Sequence, residues 1–373
     1  MNGNLKVGNL FGIPFYVNLS WFLVLALVTW NYGRELAFAF PALGSATPWL
    51  LGLMAALLLF ASVLAHELGH SFAARRQGIG VNSITLFLFG GLAALEKEST
   101  TPRGAFEVAI AGPLVSFILF GLFTLVNLVL PLTGPFAAIV SLLGYINLAL
   151  GVFNLIPGLP LDGGNVLKAA VWQITGNPYK ATRIASRSGQ LIGWVAIISG
   201  LGSVLGLFPF GSIWNLLIGF FLLQNANRSG QFATVQERLD GLTAEDAVAA
   251  TSPVVAADAT LREFAETVFL AGTSQWQKFL VVNAEGQLAG TLKVDALQRV
   301  SRDLWADTAV GDIMEPETMT TVESDQSLLD VVKVLEQNRL QALPVIGENG
   351  VLVGLLEKAS IQSLVQRTQP NPA

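Results

Sequence analysis

Residues 61 to 70 read Ala-Ser-Val-Leu-Ala-His-Glu-Leu-Gly-His, and they end a long uncharged stretch of the chain. His66 and His70 are the two histidines of the 373-residue sequence. Residues four apart share one face of an α-helix, so both imidazoles can bind one ion while Glu67 lies beside it. Zinc suits imidazole ligands and acidifies bound water, whose proton Glu67 can take. The spacing therefore predicts one zinc ion per chain with Glu67 as general base. A chance pairing is disfavoured because histidine is absent elsewhere.

Composition places this motif in a membrane protein. The chain is 52% hydrophobic and 13% charged, with a mean hydropathy of +0.58, which is too apolar for an ordinary soluble protein. Up to residue 230 it has 11 Lys/Arg and 6 Asp/Glu, whereas the remainder has 10 and 20. An apolar membrane part is thus followed by an acidic soluble part. Cysteine is absent, which excludes disulfides and thiolate zinc ligands, and nothing indicates nucleic acid binding.

Six apolar runs are long enough, or nearly so, to cross a bilayer. We therefore expect a polytopic α-helical membrane domain of about six transmembrane helices, followed by a soluble α+β domain. We interpret Gly12 to Trp30 as a retained span rather than a signal peptide. The last two runs are short and Gly-rich, so a tight hairpin and two full spans both stay open. The runs lie at 12–30, 48–65, 108–130, 136–156, 191–207 and 209–223.

Charge in the connections predicts orientation. Basic residues cluster in alternate connections, and the positive-inside rule makes those connections cytoplasmic. Both termini and the acidic tail then lie in the cytoplasm. We assign residues 1–228 to the membrane domain, 229–241 to a linker, and 242–302 and 303–373 to two modules of the tail.

A catalytic zinc needs a third protein ligand. Asp162 stands out among the carboxylates of the membrane part because Pro157, Pro160 and the glycines after Asp162 break helical structure at membrane depth, where irregular backbone is tolerated mainly beside a cavity. Glu107 is a weaker alternative. Asp162 as an ordinary turn or capping residue also stays open.

The acidic tail contains an internal repeat. Asp258–Leu261 aligns with Asp325–Leu328, and Phe279–Val282 aligns with Leu343–Ile346. Each unit is predicted to form a helix, a buried strand, a Gly turn, a second strand and a helix. The tail resembles a tandem of CBS modules, which often bind adenine nucleotides. The positions that usually hold ribose and phosphate carry Lys293, Ala296, Glu357 and Ser360 here. Glu357 would repel phosphate, so a regulatory or dimerising module without a small ligand stays open.

Several motifs together give a second resemblance. The His-Glu-Leu-Gly-His segment at 66–70, Ala111-Gly112-Pro113, and the pattern of Asn154, Pro157 and Asp162-Gly163 resemble the site-2 protease family of intramembrane zinc metalloproteases. The resemblance implies that His66, His70 and Asp162 ligate zinc, that Glu67 is the base, and that Asn154 holds the substrate carbonyl or its oxyanion. The stretch with Phe89, Gly90 and Gly91 resembles a strand that binds unwound substrate, with a plain interfacial loop as the alternative.

This resemblance implies a function as well. We expect hydrolysis of a peptide bond within or near a transmembrane segment of a single-span membrane protein, in the manner of regulated intramembrane proteolysis. We expect the protein in a prokaryotic cell membrane, and a homodimer through the CBS modules is a further expectation by analogy. A metal transporter or channel gated by CBS modules is the competing hypothesis. It is weaker, because transit needs no general base and favours several weak sites along a path.

Overall fold

The computed structural model describes residues 3–88, 90–207, 209, 211–249, 251–270, 276–316 and 319–367. The chain divides into two compact units, Met1–Thr234 and Val235–Ala373. The first unit is mainly helical and the second mixes short strands with helices. A helical membrane-type region followed by a region of sheets and helices agrees with the order of parts predicted above.

Seven helices and a small sheet build the first unit in the described residues. Three of the helices are long and apolar enough to cross a bilayer, namely α2, α3 and α4. The expected count of about six spans is thus not confirmed. The helices are α1 (Leu19–Ala39), α2 (Thr47–Arg76), α3 (Pro102–Val129), α4 (Gly134–Asn154), α5 (Asp162–Thr175), α6 (Pro178–Val204) and α7 (Ile213–Leu239).

The first predicted span, residues 12–30, is wrong in its first part. Ile13–Asn18 forms a strand, and α1 begins only at Leu19, where the Asn18 side chain caps it by accepting a hydrogen bond from the Ser20 N–H at 3.0 Å. Bulky residues such as Phe15 and Val17 favour a strand, and Pro14 disfavours a helix interior. A criterion that counts apolar length alone cannot see this difference.

The strands of the first unit form one four-stranded sheet. Its strands are β1 (Asn4–Leu10), β2 (Ile13–Asn18), β3 (Val81–Phe87) and β4 (Gly90–Leu95), in the spatial order β1-β2-β3-β4. β2 and β3 run parallel, and the other pairs are antiparallel. The sheet extends from the hairpin that joins α2 to α3, so β4 is an edge strand.

The final apolar runs belong to two long helices. α6 and α7 have 27 residues each, and a Cβ on Gly193 or Gly200 of α6 would lie 2.9 Å or 2.6 Å from the backbone of α7, so the two apolar runs pack closely as parts of a longer helical hairpin. Most of the predicted linker, 229–241, is the last part of α7, because the polar stretch after residue 224 contains neither Pro nor a helix-ending Gly before Gly241. The division between the compact units falls after Thr234.

The second unit repeats one arrangement twice. β5 (Val254–Ala256), α8 (Leu261–Leu270), β6 (Lys278–Val282) and β7 (Leu288–Lys293) are followed by β8 (Val322–Glu323), α10 (Leu328–Gln337), β9 (Ala342–Ile346) and β10 (Leu352–Glu357). A short helix α9 (Val310–Ile313) lies between the repeats, and α11 (Lys358–Arg367) follows the second. Each repeat forms a three-stranded sheet with one parallel and one antiparallel pair. The predicted internal repeat is therefore present in the structure.

Buried apolar side chains stabilise each repeat separately. In the first repeat, Phe264 of α8 packs edge-on against Phe279 of β6, with ring centroids 4.9 Å apart. In the second, Leu328 of α10 and Leu343 of β9 belong to one fully buried cluster. These residues lie in or just after the segments that aligned in the sequence, so the repeat reflects two equivalent cores.

A capping box begins α8 and supplies a test of this unit. The Thr260 hydroxyl accepts a hydrogen bond from the Glu263 N–H at 3.2 Å, and the Glu263 carboxylate accepts one from the Thr260 N–H at 2.8 Å. These hydrogen bonds from Thr260 lower the pKa of the exposed Glu263 carboxyl. The carboxylate therefore stabilises α8 above the unfolded-state pKa, and this stabilisation is lost as the pH falls through the lower folded-state pKa.

We expect Thr260→Ala to destabilise α8 by about 1 kcal/mol at neutral pH. Amide hydrogen exchange in α8 of the full chain measures this loss. Glu263→Gln is expected to remove the acid-dependent part of α8 protection, whereas Glu266→Gln on the same helix is the control. Equal exchange in the Thr260 and Glu266 variants would contradict the capping role.

Candidate metal centre

The two histidines of α2 are oriented by α3. Nδ1 of His66 lies 2.9 Å from Oγ of Ser116, and Nδ1 of His70 lies 2.7 Å from the carbonyl oxygen of Val108. A carbonyl only accepts, so His70 donates from Nδ1, which leaves Nε2 as the nitrogen available to a metal ion. His66 and Ser116 are buried, with 3% and 0% of their surface exposed. Both rings are therefore fixed with Nε2 pointing away from α3's polar contacts.

Asp162 meets both free ring nitrogens. Its Oδ2 lies 3.0 Å from Nε2 of His66, and its Oδ1 lies 3.3 Å from Nε2 of His70. The two Nε2 atoms are themselves 3.3 Å apart. One potential ligand atom from each of the three residues lies within 4.8 Å of the others. The structure thus brings together the residues that the sequence proposed as ligands.

The spacing of the nitrogens fits zinc. Two nitrogens, each about 2.05 Å from a tetrahedral ion, lie roughly 3.3 Å apart. Two imidazole nitrogens and one carboxylate oxygen form a common donor set of catalytic zinc sites and leave one position open. The hydrogen bonds to Ser116 and Val108 are the outer contacts that keep metal-binding imidazoles oriented.

Gly112 of α3 makes room for the two rings. A Cβ at this position would lie 2.2 Å from Nε2 of His70 and 2.6 Å from Nε2 of His66. Both distances are shorter than any normal contact, so a side chain here would displace the rings. Val108, Gly112 and Ser116 are spaced by four residues and share one face of α3. On that face Ser116 contacts His66, the Val108 carbonyl contacts His70, and Gly112 leaves space for both rings between them.

Asp162 is held at the start of α5 by a loop anchored on α6. Leu159 donates its N–H to the Ala185 carbonyl at 3.1 Å, and the Ser188 hydroxyl donates to the Pro157 carbonyl. The N-cap residue of α5 is Leu161, and it makes no side-chain cap. The Asp162 carboxylate contacts the imidazoles, so the alternative of an ordinary capping aspartate does not describe it.

Glu67 lies on the other side of the rings, against β4. It is buried, with 9% of its surface exposed, and the Ala93 backbone donates a hydrogen bond to its carboxylate. A Cβ on Gly91 would lie 2.3 Å from Cγ of Glu67, so β4 reaches the glutamate only because this residue is glycine. The edge strand and the glutamate therefore share one wall of the site.

A cavity of about 560 Å³ contains these groups. It is lined by His66, Glu67, His70 and Asp162, together with residues of α4, α5, α7 and β4. Asn154, Gly90 and Gly91, which the family resemblance suggested, line it too, whereas Phe89 lies outside the described residues. Glu107, the alternative ligand, instead pairs with Arg103 at 2.9 Å on an exposed turn of α3.

Sequence reasoning missed several groups of the site. Ser116 and the Val108 carbonyl had a usable signal, since they flank Gly112 at helical spacing in a motif that was already noted. Asn165 and Lys168 also line the cavity, three and six residues after Asp162 on α5. Their signal was hidden because α5 was not predicted as a helix.

Comparisons with known proteins agree with this site. The model for peptidase family M50 matches residues 54–139 and 130–196, and the CBS domain model matches 310–366. A Synechocystis protein named "Putative zinc metalloprotease" is 56% identical over 98% of this chain and 96% of its own length. A Mycobacterium tuberculosis protein with the name "Putative zinc metalloprotease Rip3" is 30% identical over 100% of the chain and 96% of its own. A zinc metalloprotease of Methanocaldococcus jannaschii is 26% identical over 97% of this chain and 96% of its own length.

Fold, site and relatives define an integral membrane zinc metalloprotease with a C-terminal CBS region. The chain belongs to peptidase family M50, the site-2 proteases, so the family resemblance inferred from the motifs is confirmed.

The contact at Gly112 gives a direct test of the centre. We expect Gly112→Ala to displace the rings and to lower zinc affinity by roughly 10–100-fold, the usual effect of disturbing the groups that orient zinc ligands. The matched control is Gly121→Ala on the same helix, where a Cβ would have no atom within 4 Å. Zinc content of both purified proteins, measured by mass spectrometry, distinguishes them. Equal content would show that Gly112 does not shape the site.

Proposed function

We propose that this chain hydrolyses a peptide bond within or near a transmembrane segment of a membrane-anchored, single-span protein. One observation carries the proposal. His66 and His70 of α2 meet Asp162 of α5 with Glu67 beside them, and α2 is long and apolar enough to span a bilayer. Ionisable groups in such a helix are costly and serve function by default. The surrounding cavity has room for a short extended peptide.

His66, His70 and Asp162 would hold the zinc ion. When bound, zinc polarises a carbonyl and acidifies water. The three residues supply two neutral nitrogens and one negative charge, and their second contacts to Ser116 and Val108 stop the rings from turning away.

Glu67 would move the proton. It follows His66 on α2 and lies in the same cavity, so it can accept a proton from the attacking water and then donate it to the leaving amine. The hydrogen bond from Ala93 and the close contact with Gly91 hold the carboxylate in one place. A fixed position matters because proton transfer requires hydrogen-bond reach.

Asn154 and β4 would position the substrate. Asn154 ends α4 within the cavity, where its amide N–H can donate to the carbonyl oxygen of the scissile bond. A transmembrane helix hides its carbonyls in hydrogen bonds, so the substrate must unwind before cleavage. Gly90 and Gly91 lie on the edge strand, whose free backbone groups can pair with the unwound segment.

The CBS region is proposed to regulate the protease or to pair two copies of it on the cytoplasmic side of a prokaryotic cell membrane. The basic connections of the membrane part support that orientation. Lys293, at a position expected to hold a nucleotide, instead pairs with Glu315 at 2.9 Å, which gives no support to an adenine nucleotide there.

Glu67→Gln separates hydrolysis from metal transport. We expect this variant to keep its zinc and to lose cleavage of a model transmembrane substrate by roughly 10²–10⁴-fold, because a general base is removed and no ligand is changed. Zinc content and cleavage are measured on the same purified sample. Metal flux into vesicles that survives the change, without cleavage by the wild type, would favour the transporter hypothesis.

Asn154→Ala tests the carbonyl donor. We expect kcat to fall by roughly 10²–10³-fold with zinc content unchanged, as for the loss of one oxyanion donor. Asn127→Ala is the matched control, because Asn127 lies outside the cavity and bonds Ser141 at 2.6 Å. A change confined to KM would show that Asn154 binds substrate without acting on the transition state.

A further inference from the structure

Lys168 is a partly buried cation in the wall of the cavity. Its side chain is only 13% exposed, and it is the sole lysine or arginine among the described residues that line the cavity. The other charged lining groups are the metal-site residues, Glu67 and Glu98. Neither the hydrolysis nor the proposed zinc site uses Lys168, so its burial needs another explanation.

An ammonium that has lost most of its contact with water is stabilised by an anionic partner. Lys168 finds one in Glu98, at 2.5 Å between Nζ and Oε2. The two partners differ sharply in exposure, since the Glu98 side chain is 79% exposed. Glu98 lies on the connection between β4 and α3, and leaving Lys168 would return its carboxylate to water at little cost. Glu98 is thus a replaceable partner for a fixed cation.

The position of Lys168 defines what can replace Glu98. Asp162, Asn165 and Lys168 all line the cavity from the first half of α5, and six residues of helix span about 9 Å along the axis. An extended peptide covers that distance in about three residues. The new carboxylate formed by hydrolysis would arise at the metal end of this row. A side-chain carboxylate about three residues from the cut would lie at its other end, beside Lys168.

We propose that Lys168 is a specificity-determining residue that binds an acidic side chain of the substrate, about three residues from the scissile bond, in exchange for Glu98. This inference rests on the proposed hydrolysis and names the class of substrate segment that the cavity accepts. The substrate carboxylate takes the place of one that is already there, so the ammonium of Lys168 stays paired throughout binding.

A charge exchange tests the subsite. Model substrates carry Glu, Gln or Lys at each position two to four residues on either side of the cut, and each is assayed with the full-length wild type, Lys168→Glu and Lys180→Glu. At one position we expect the wild type to favour Glu over Gln by roughly tenfold in kcat/KM. Lys168→Glu is expected to favour Lys there, and the exposed Lys180→Glu control is expected to behave as the wild type.

Two further variants address a possible folding defect of Lys168→Glu and the competition between Glu98 and the substrate carboxylate. Lys168→Met keeps the apolar stem of the side chain and is expected to abolish the preference for Glu. Glu98→Gln removes the competing carboxylate and is expected to strengthen that preference. No charge preference at any position in an active wild type, or a preference that Lys168→Glu and Lys168→Met leave unchanged, overturns the subsite while hydrolysis stands.

Binding provides a readout that does not require turnover. The same peptides are titrated onto Glu67→Gln, with and without Lys168→Glu, and affinity is followed by fluorescence anisotropy. If Lys168→Glu reverses the charge preference in binding but the wild type cleaves none of the peptides, the subsite stands and the proposed function is overturned. Binding without any charge preference overturns the subsite.

Discussion

The contact between the Asp162 carboxylate and the two imidazoles of α2 is the constraint on which the membrane unit depends. Three polar side chains from two helices meet where the neighbouring helices are apolar, and each has its remaining polar atoms satisfied. An unsatisfied polar group in such surroundings costs several kcal/mol. The chain must therefore bring α2, α3 and α5 together in one register, because any slip leaves a ring nitrogen or a carboxylate without a partner.

Small residues make this register sterically possible. Gly112 leaves space for the rings, and a Cβ on Gly69 would lie 2.8 Å from the Ala111 carbonyl oxygen, so α2 and α3 cross closely at the site. Close crossings through small residues are the usual means of helix association in membranes, where no hydrophobic effect draws helices together. The polar cluster and the glycines therefore act jointly, since the glycines let the backbones approach and the polar contacts select the register.

The sequence was most informative where the signal is local. The spacing of His66, Glu67 and His70 placed them on one helix. Asp162 was identified as a candidate ligand from the helix-breaking residues around it. The spacing of Val108 and Ser116 about Gly112 places them on one face of α3, but their partners on α2 lie 38 and 50 positions away, and that pairing is set by the tertiary fold. The sheet was partly missed for the same reason, because β2 pairs with β3 some 70 residues later. Apolar length also misled the assignment of residues 13–18, since it does not distinguish a strand from the start of a span.

The two walls of the cavity differ in how firmly the chain holds them. The metal-site wall consists of helices whose side chains are fixed by buried contacts on both sides. The opposite wall consists of edge strand β4 and the connection that carries Glu98, where backbone groups face the cavity and one charged partner is largely exposed. A rigid wall keeps reacting groups in position, which catalysis requires. Edge strand β4 also holds Glu67 of α2 through Ala93 and Gly91, so the two walls meet at this one glutamate, while His66, His70 and Asp162 are held by contacts among the helices.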